Sequence, residues 1–284
     1  MLVKQLLICP NCKSTLSQVG KTYKCENQHS FDVSKEGYLN LLIANKKSKT
    51  NQGDNKLMMD ARDAFLSEGH YDFLMEKIEV SMDYLDTFNL PDSEITCMLD
   101  IGCGSGYYTR NLLDGYSDVH RIGIDISKQG VAKASKRDKE STYIVGSVFD
   151  LPIADDSADI ILNIFSPISL TEATRVLKPG GIIIKVIPGS EHMKEVAELV
   201  YKTFKPHVSS IEKKLSSVEE LEVINIIDID KVTDLHAADL HNCIRMTPYL
   251  YKFREGALEK LSKLSLTLSF KVIVAQYNRS AKLS

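Results

Sequence analysis

Apolar residues change their spacing along this chain, and the changes divide it into three parts. Up to about residue 45 they occur in short polar–apolar alternations among Cys, Gly and Asn, with no helical period. Residues 46–53 contain no apolar side chain and read as a basic linker or loop. From Asp54, which this reading takes as an N-cap, Leu57, Met58, Ala61, Ala64 and Phe65 recur at three- and four-residue spacings. After Gly69 so do Leu74, Met75, Ile78, Met82 and Leu85, which predicts two helices broken at the glycine. Beyond Pro91 short apolar runs alternate with helical stretches. The runs predict strands at Thr96–Ile101, Val119–Asp125, Thr142–Gly146, Asp159–Phe165 and Gly181–Ile187. Helices are predicted near 107–114, 128–138, 169–177 and 190–204, and Leu266–Ala275 alternates like an added strand. Between 215 and 260 the pattern is mixed, with a strand at Leu221–Ile227 and helical material at Lys231–Cys243.

Strand, helix, strand at this spacing implies an α/β fold of βαβ units: a mostly parallel, Rossmann-like sheet with helices on both faces. The expected domains are a small N-terminal β module at 1–45, a basic linker with helices at 46–90, and the sheet domain at 91–284. With 284 residues, 43% hydrophobic and 26% charged, the chain can bury one large core and a smaller satellite. Met1 to Ile8 is too short for a secretory apolar segment, and the later apolar runs are shorter than a bilayer span, so a cytoplasmic protein is expected. The net charge of −3 conceals an asymmetry: residues 1–62 hold ten Lys/Arg against five Asp/Glu, leaving −8 for the remainder. A basic end on an acidic body suits contact with a polyanion, and equally the solubility of a small exposed domain.

Three of the six cysteines cluster with a histidine. Cys9-Pro10-Asn11-Cys12 is followed, after twelve intervening residues, by Cys25, and His29 stands four positions beyond it. A Cys-x2-Cys knuckle plus a Cys-x3-His pair offers the four S and N donors that tetrahedral zinc takes. The competing reading, a redox Cys-x-x-Cys, lacks the βαβ surroundings such motifs have. Four protein ligands fill the tetrahedron, so this metal is structural, and it staples a module of under about 50 residues. Cys97, Cys103 and Cys243 read as small buried residues.

Asp100-Ile101-Gly102-Cys103-Gly104-Ser105-Gly106 follows an apolar strand and precedes a helix. Glycines there allow a tight turn and close approach of backbone to a ligand. Asp125, closing the next strand nineteen positions after Gly106, can accept hydrogen bonds from both hydroxyls of a ribose. The spacing is G-x-G-x-G, not the G-x-G-x-x-G of dinucleotide sites. It resembles the first motif of class I S-adenosylmethionine-dependent methyltransferases, and the Leu151-Pro152 step and Val176-Leu177-Lys178-Pro179-Gly180-Gly181 complete a set typical of them.

The similarity extends further. The cluster from Cys9 to His29, Phe31-Asp32-Val33, Lys35 to Leu42, Gly53-Asp54, Met58-Met59, Ala61-Arg62, Phe65-Leu66 and Gly69-His70-Tyr71 resemble the N-terminal part of the large-subunit (23S) rRNA guanine-N1-methyltransferases. Asp100 to Thr109, Ser166-Pro167, Pro188-Gly189 with His192, and Met246-Thr247-Pro248 carry the likeness on, weakest over 205–240. The resemblance implies S-adenosylmethionine and structural zinc, the latter on Cys9, Cys12, Cys25 and His29. It also implies methyl transfer to N1 of a guanine in a 23S rRNA hairpin loop, and a homodimer whose zinc modules form the RNA cleft. It further implies that Tyr71, Tyr108, Thr109 and His192 line the cofactor site with Asp100, Gly102, Gly104 and Asp125. Read alone, Tyr71 could equally be a core aromatic, Tyr108 helix packing and His192 a helix cap.

Asn163-Ile164-Phe165-Ser166-Pro167 ends a strand at the edge where open sheets bind substrates. Asn163, Phe165, Ser166 and Pro167 are therefore the expected contacts to the target base, the alternative for Phe165 being a core position. No general base can be named. The zinc module and Lys46, Lys47 and Lys49 are expected to grip phosphates. A small-molecule or protein acceptor, with zinc purely structural, is the other enzyme reading.

Overall fold

Residues 6–43, 55–84, 96–112, 119–201 and 203–278 are described by the structure, a computed structural model. Three short strands open it: β1 (Ser17–Val19), β2 (Thr22–Lys24) and β3 (Ser30–Asp32) form an antiparallel sheet. The next strand, β4 (Leu39–Asn40), leaves that sheet and pairs in parallel with the edge of the large one. Lys46, Lys47 and Lys49, with the expected linker and the Asp54 cap, lie outside the described residues.

Helix α1 (Lys56–Ser67) is capped by Asn55, whose side chain accepts from the Met58 amide at 2.9 Å. After the Gly69 turn comes α2 (Asp72–Met82). The predicted stripe needs one correction on α1. Leu57 and Ala64, seven residues apart on one face, point to solvent, and Asp63 takes an inward place. That place is tenable because Asp63 is ion-paired to Lys133 at 3.0 Å and Arg137 at 3.1 Å.

The remaining elements are β5 (Cys97–Ile101), α3 (Tyr107–Asn111), β6 (His120–Asp125), α4 (Lys128–Arg137), β7 (Thr142–Val145), β8 (Ala158–Ile164), α5 (Leu170–Val176) and β9 (Leu177–Pro188). After them come α6 (Lys194–Tyr201), α7 (Ile211–Leu215), β10 (Leu221–His236), α8 (Ala237–Arg245) and β11 (Lys263–Tyr277). The eight-stranded sheet has the order β10-β11-β9-β8-β5-β6-β7-β4, and β11 runs antiparallel to both its neighbours. Every residue of β5 and β8 is buried, as central parallel strands covered on both faces must be.

Two predicted boundaries change. The strand expected from Gly181 starts at Leu177, paired with Ala158 across a register shift. Lys231–His236, expected as helix, continues β10, and α8 begins only at Ala237. β10 is an edge strand with Leu221, Ile229 and Leu235 as its buried residues, so no alternation announces its second half; its ladder with β11 out to His236–Lys263 decides its length.

One face of the sheet packs Met98, Ile160, Leu162 and Ile184 against α1 and α2. The other packs Leu99, Ile122, Ile161 and Ile183 in one cluster with Leu7, Leu16 and Tyr23 of the N-terminal module. The module therefore shares a core with the large sheet. Among the described residues no helix is long and apolar enough to cross a membrane.

Candidate active site and metal centre

Reversal of strand order at β5, between β6 and β8, opens a crevice beyond the strand ends, and the glycine loop fills its floor. The amides of Gly102 and Cys103 both donate to Ile124 O, at 2.7 and 3.2 Å. Gly102 has φ +87°, and a Cβ there would lie 1.9 Å from Ser166 Oγ. At Gly104 a Cβ would meet nothing within 4 Å, since that face of the loop is open. Asp125 ties the loop to β6: its Oδ2 accepts from Gly104 N at 2.9 Å and its Oδ1 from Ser127 N at 2.7 Å. A brace behind the loop links Ser105 Oγ to Asp63 on α1, which in turn pairs with Lys133 on α4.

A cavity of about 480 Å³ lies over this floor. Its walls come from Asp100, the loop and Tyr108, from Asp125–Ser127, from Ser147–Phe149, and from Ile164–Pro167. Met59, Arg62 and Leu66 of α1 close it from above. Asp100 is buried, and burial pushes its carboxyl up to about 7, against the pull of a 2.6 Å hydrogen bond from Thr109 Oγ1. Tyr108 Oη is buried on the wall with no hydrogen-bond partner among the described residues, a donor left for whatever fills the cavity.

Of the residues expected to touch the cofactor, Asp100, Gly102, Gly104, Tyr108 and Asp125 stand on this wall, whereas Tyr71, Thr109 and His192 do not. The Thr109 hydroxyl is engaged by Asp100. Tyr71 sits edge-on to Phe65 and to Phe270, with ring centroids 5.3 and 4.9 Å away. His192 accepts from Ser269 N at 3.3 Å through Nδ1 and lies 4.9 Å from the Phe270 ring; burial pushes its imidazole down to about 4. Both form the layer behind Phe165, whose ring is 5.4 Å from Phe270.

Of the expected base contacts, Phe165, Ser166 and Pro167 line the cavity. Asn163 is the correction. It is fully buried; its amide donates to Ile101 O at 2.8 Å and Pro167 O at 3.0 Å, and its oxygen accepts from Lys185 Nζ. These three internal hydrogen bonds take up its side chain and hold the turn, and the side chain is not part of the cavity lining. Sequence reasoning missed Met59, Arg62 and Ser147–Phe149. An arginine on the apolar stripe of α1 was the available signal for the first pair, and the Leu151-Pro152 step after a strand for the other.

The four clustered ligands in the N-terminal module come from two knuckles. Lys13 N donates to Cys9 O at 2.8 Å and Gln28 N to Cys25 O at 3.0 Å, so each tight turn presents its pair of ligands. All four ligand atoms lie within 4.8 Å of one another. Cys12 Sγ and Cys25 Sγ are 3.7 Å apart, and His29 Nδ1 is 3.4 Å from Cys25 Sγ and 3.6 Å from Cys9 Sγ. A zinc tetrahedron with Zn–S near 2.3 Å and Zn–N near 2.05 Å has edges of roughly 3.8 and 3.5 Å, so the donor set fits. The Asn27 side chain and the Ser14 hydroxyl and amide push the Cys12 thiol down to about 5, toward the thiolate that zinc needs. Cys97, Cys103 and Cys243 are buried and unpaired, their thiols pushed up by burial.

This strand order and a glycine loop under a cavity with a carboxylate at the end of the second strand define a class I S-adenosylmethionine-dependent methyltransferase, here carrying a zinc module. The family described as RlmA, N-terminal, a zinc ribbon, matches residues 7–49, and the methyltransferase domain family matches residues 99–185. A Streptomyces fradiae 23S rRNA (guanine(748)-N(1))-methyltransferase is 34% identical over 197 residues, which is 69% of this chain and 68% of that protein. YxjB of Bacillus subtilis (strain 168), provisionally given the same guanine-N1 activity, is 30% identical over 94% of this chain and 95% of its own. The chain belongs to the 23S rRNA (guanine-N1)-methyltransferase family. A malonyl-[acyl-carrier protein] O-methyltransferase of Dechloromonas aromatica (strain RCB) is 31% identical, over 55% of this chain and 62% of that protein.

Proposed function

We propose that this protein transfers the methyl group of S-adenosylmethionine to N1 of a guanine in a hairpin loop of 23S rRNA, in the cytoplasm and, as the resemblance implies, as a homodimer. One observation carries the reading. A zinc ribbon, in a chain related along nearly its whole length to the guanine-N1 family, is docked on the loop bordering the cavity, and that cavity also exposes an aromatic face.

S-adenosylmethionine supplies a methyl group activated on its sulfonium. Among the residues lining the cavity, Asp125 would hold the ribose hydroxyls, Asp100, Arg62 and Tyr108 the charged amino-acid end, and Ile126, Val148 and Phe149 the flat adenine. Guanine N1 carries a proton and a delocalised lone pair, so for N1 to accept the methyl group that proton would have to pass to solvent water or a base. The enzyme's part is mainly alignment. A loop guanine is splayed out of its stack to enter. Phe165, 41% exposed on the wall, offers it a face, and such stacking contributes about 1–3 kcal/mol per base. The basic N-terminal region meets the phosphates.

Labelled S-adenosylmethionine and unmodified 23S rRNA test this reading. The expected result is one methylated guanine at N1. Transfer to a metabolite or protein extract instead would favour the acceptor reading suggested by the O-methyltransferase relative, whose similarity covers only part of the chain.

Asp100 adds a pH dependence. With its carboxyl raised to about 7, it is protonated below that pH and cannot pair with the cationic end of the ligand. S-adenosylhomocysteine affinity is therefore expected to fall about tenfold per pH unit below 7 and to level off above it. Calorimetry on Asp100→Asn should give weak binding that does not vary over the same range. For the ligand-free fold the sign is opposite: Asp100 favours the folded state most at low pH, and that contribution declines as pH rises from about 4 to 7.

A further inference from the structure

Lys185 breaks the apolar run of β9 at the middle of the sheet, where a charge has no place for packing reasons. It is 5% exposed, and burial pushes its ammonium down to about 8. Its acceptors are both neutral: Asn163 Oδ1 on the neighbouring strand and Ser166 O at 2.6 Å. Asn163 stands at the end of β8 and Ser166 in the turn that follows it at the cavity wall. The next residue on β9 holds the same turn, with Phe165 N donating to Val186 O at 3.1 Å.

The turn needs such holding. Phe165 has φ +52°, a left-handed conformation that a bulky L-residue adopts only when its surroundings impose it. Its ring is left partly in solvent at the cavity wall, with the Tyr71 and Phe270 rings 6.4 and 5.4 Å away. Ser166, on the same turn, packs over Gly102 of the cofactor loop. Asn163 completes the frame by bonding to Ile101 O immediately before that loop.

We propose that Lys185 is a positioning residue for methyl transfer: from inside the sheet it locks the Asn163–Pro167 turn so that Phe165 stands in the cavity as the face on which the acceptor guanine lies. This rests on the guanine-N1 reading for what Phe165 meets, but the lock itself does not.

The sequence contains no tryptophan, so Phe165→Trp makes a single-tryptophan reporter of the turn. Adding Lys185→Met to it is expected to raise acrylamide quenching about threefold and to lower the anisotropy of the indole. In the background with Phe165 intact, Lys185→Met should lower kcat on 23S rRNA about a hundredfold, with KM for RNA and S-adenosylhomocysteine affinity each within about threefold of wild type. Lys185→Gln keeps a donor without the charge and should recover about tenfold of the lost kcat; it also stands in should the Met variant not fold. Unchanged quenching and anisotropy in the double variant overturns the lock, whatever the RNA assay gives. A parallel loss of cofactor affinity and kcat would reduce Lys185 to ordinary fold support and overturns it as well. If the wild type methylates no RNA while the indole is released, the guanine reading fails and the lock stands.

Discussion

Alanine at Gly102 is expected to weaken S-adenosylhomocysteine binding by at least about a hundredfold while the protein still melts in one cooperative step. Two costs add at this position. The backbone sits at φ +87°, where an L side chain is strained by about 1–3 kcal/mol. The new methyl would also lie 1.9 Å from Ser166 Oγ and 2.4 Å from its Cβ. Ser166 has little room to retreat, because its carbonyl is held by Lys185 and the preceding amide by Val186. The loop must move instead, which displaces Gly104 N from Asp125 and closes the open face above it. At 1.4 kcal/mol per factor of ten, strain and displacement together reach the stated loss. Calorimetry checks it. Adding Ser166→Gly should remove the clash but not the strain, and so recover about tenfold; wild-type affinity in the single variant would sink the account.

Removing the zinc is expected to have the larger effect on the whole molecule. Structural zinc sites contribute about 10–16 kcal/mol of apparent binding energy in small modules, comparable to the total stability of a domain. Cys25→Ala, or a strong chelator, should release the zinc, measured by mass spectrometry of the metal. Hydrogen-exchange protection across residues 6–43 should go with it. The loss should not stop there. Leu7, Leu16 and Tyr23 share a core with β5, β6 and β8, so the melting temperature should fall by on the order of 10 °C. Ile8 N bonds to Pro152 O at 3.1 Å, Ala154 N to Leu6 O at 2.8 Å, and Lys13 pairs with Asp150 at 2.5 Å. That segment follows the Ser147–Phe149 wall directly, so cofactor affinity should fall several-fold in the same variant. An intact cofactor site in a zinc-free chain would show that the module is only an appendage.

Much of the architecture was legible because parallel strands and amphipathic helices write themselves into spacing. The five central strands are buried on both faces and read as short apolar runs; α1 and α2 read as two stripes broken at Gly69. The zinc ligands were legible for a different reason: each knuckle is a local turn, so two pairs of nearby residues suffice to place four donors. Only the first half of β10 was legible, as the strand expected at Leu221–Ile227; its extension to His236 was not, since an edge strand with one paired side takes its length from its neighbour and carries little apolar signal of its own.

Local sequence thus determined the elements, the glycine loop with Asp125 and the ligand set of the metal, all of which depend on neighbours within a turn or a strand. Tertiary structure alone decided which side chains face the cavity. Thr109 has the chemistry to touch a ligand but is engaged by Asp100 on β5, Asn163 is engaged by Ile101, Pro167 and Lys185, and Tyr71 and His192 pack behind Phe165. Arg62 and Met59 reach the wall only because α1 lies across the strand ends. The same holds for Lys185 and the docking of the zinc ribbon beside the cavity, since a side chain's partners across a sheet are set by register and packing and not by spacing along the chain.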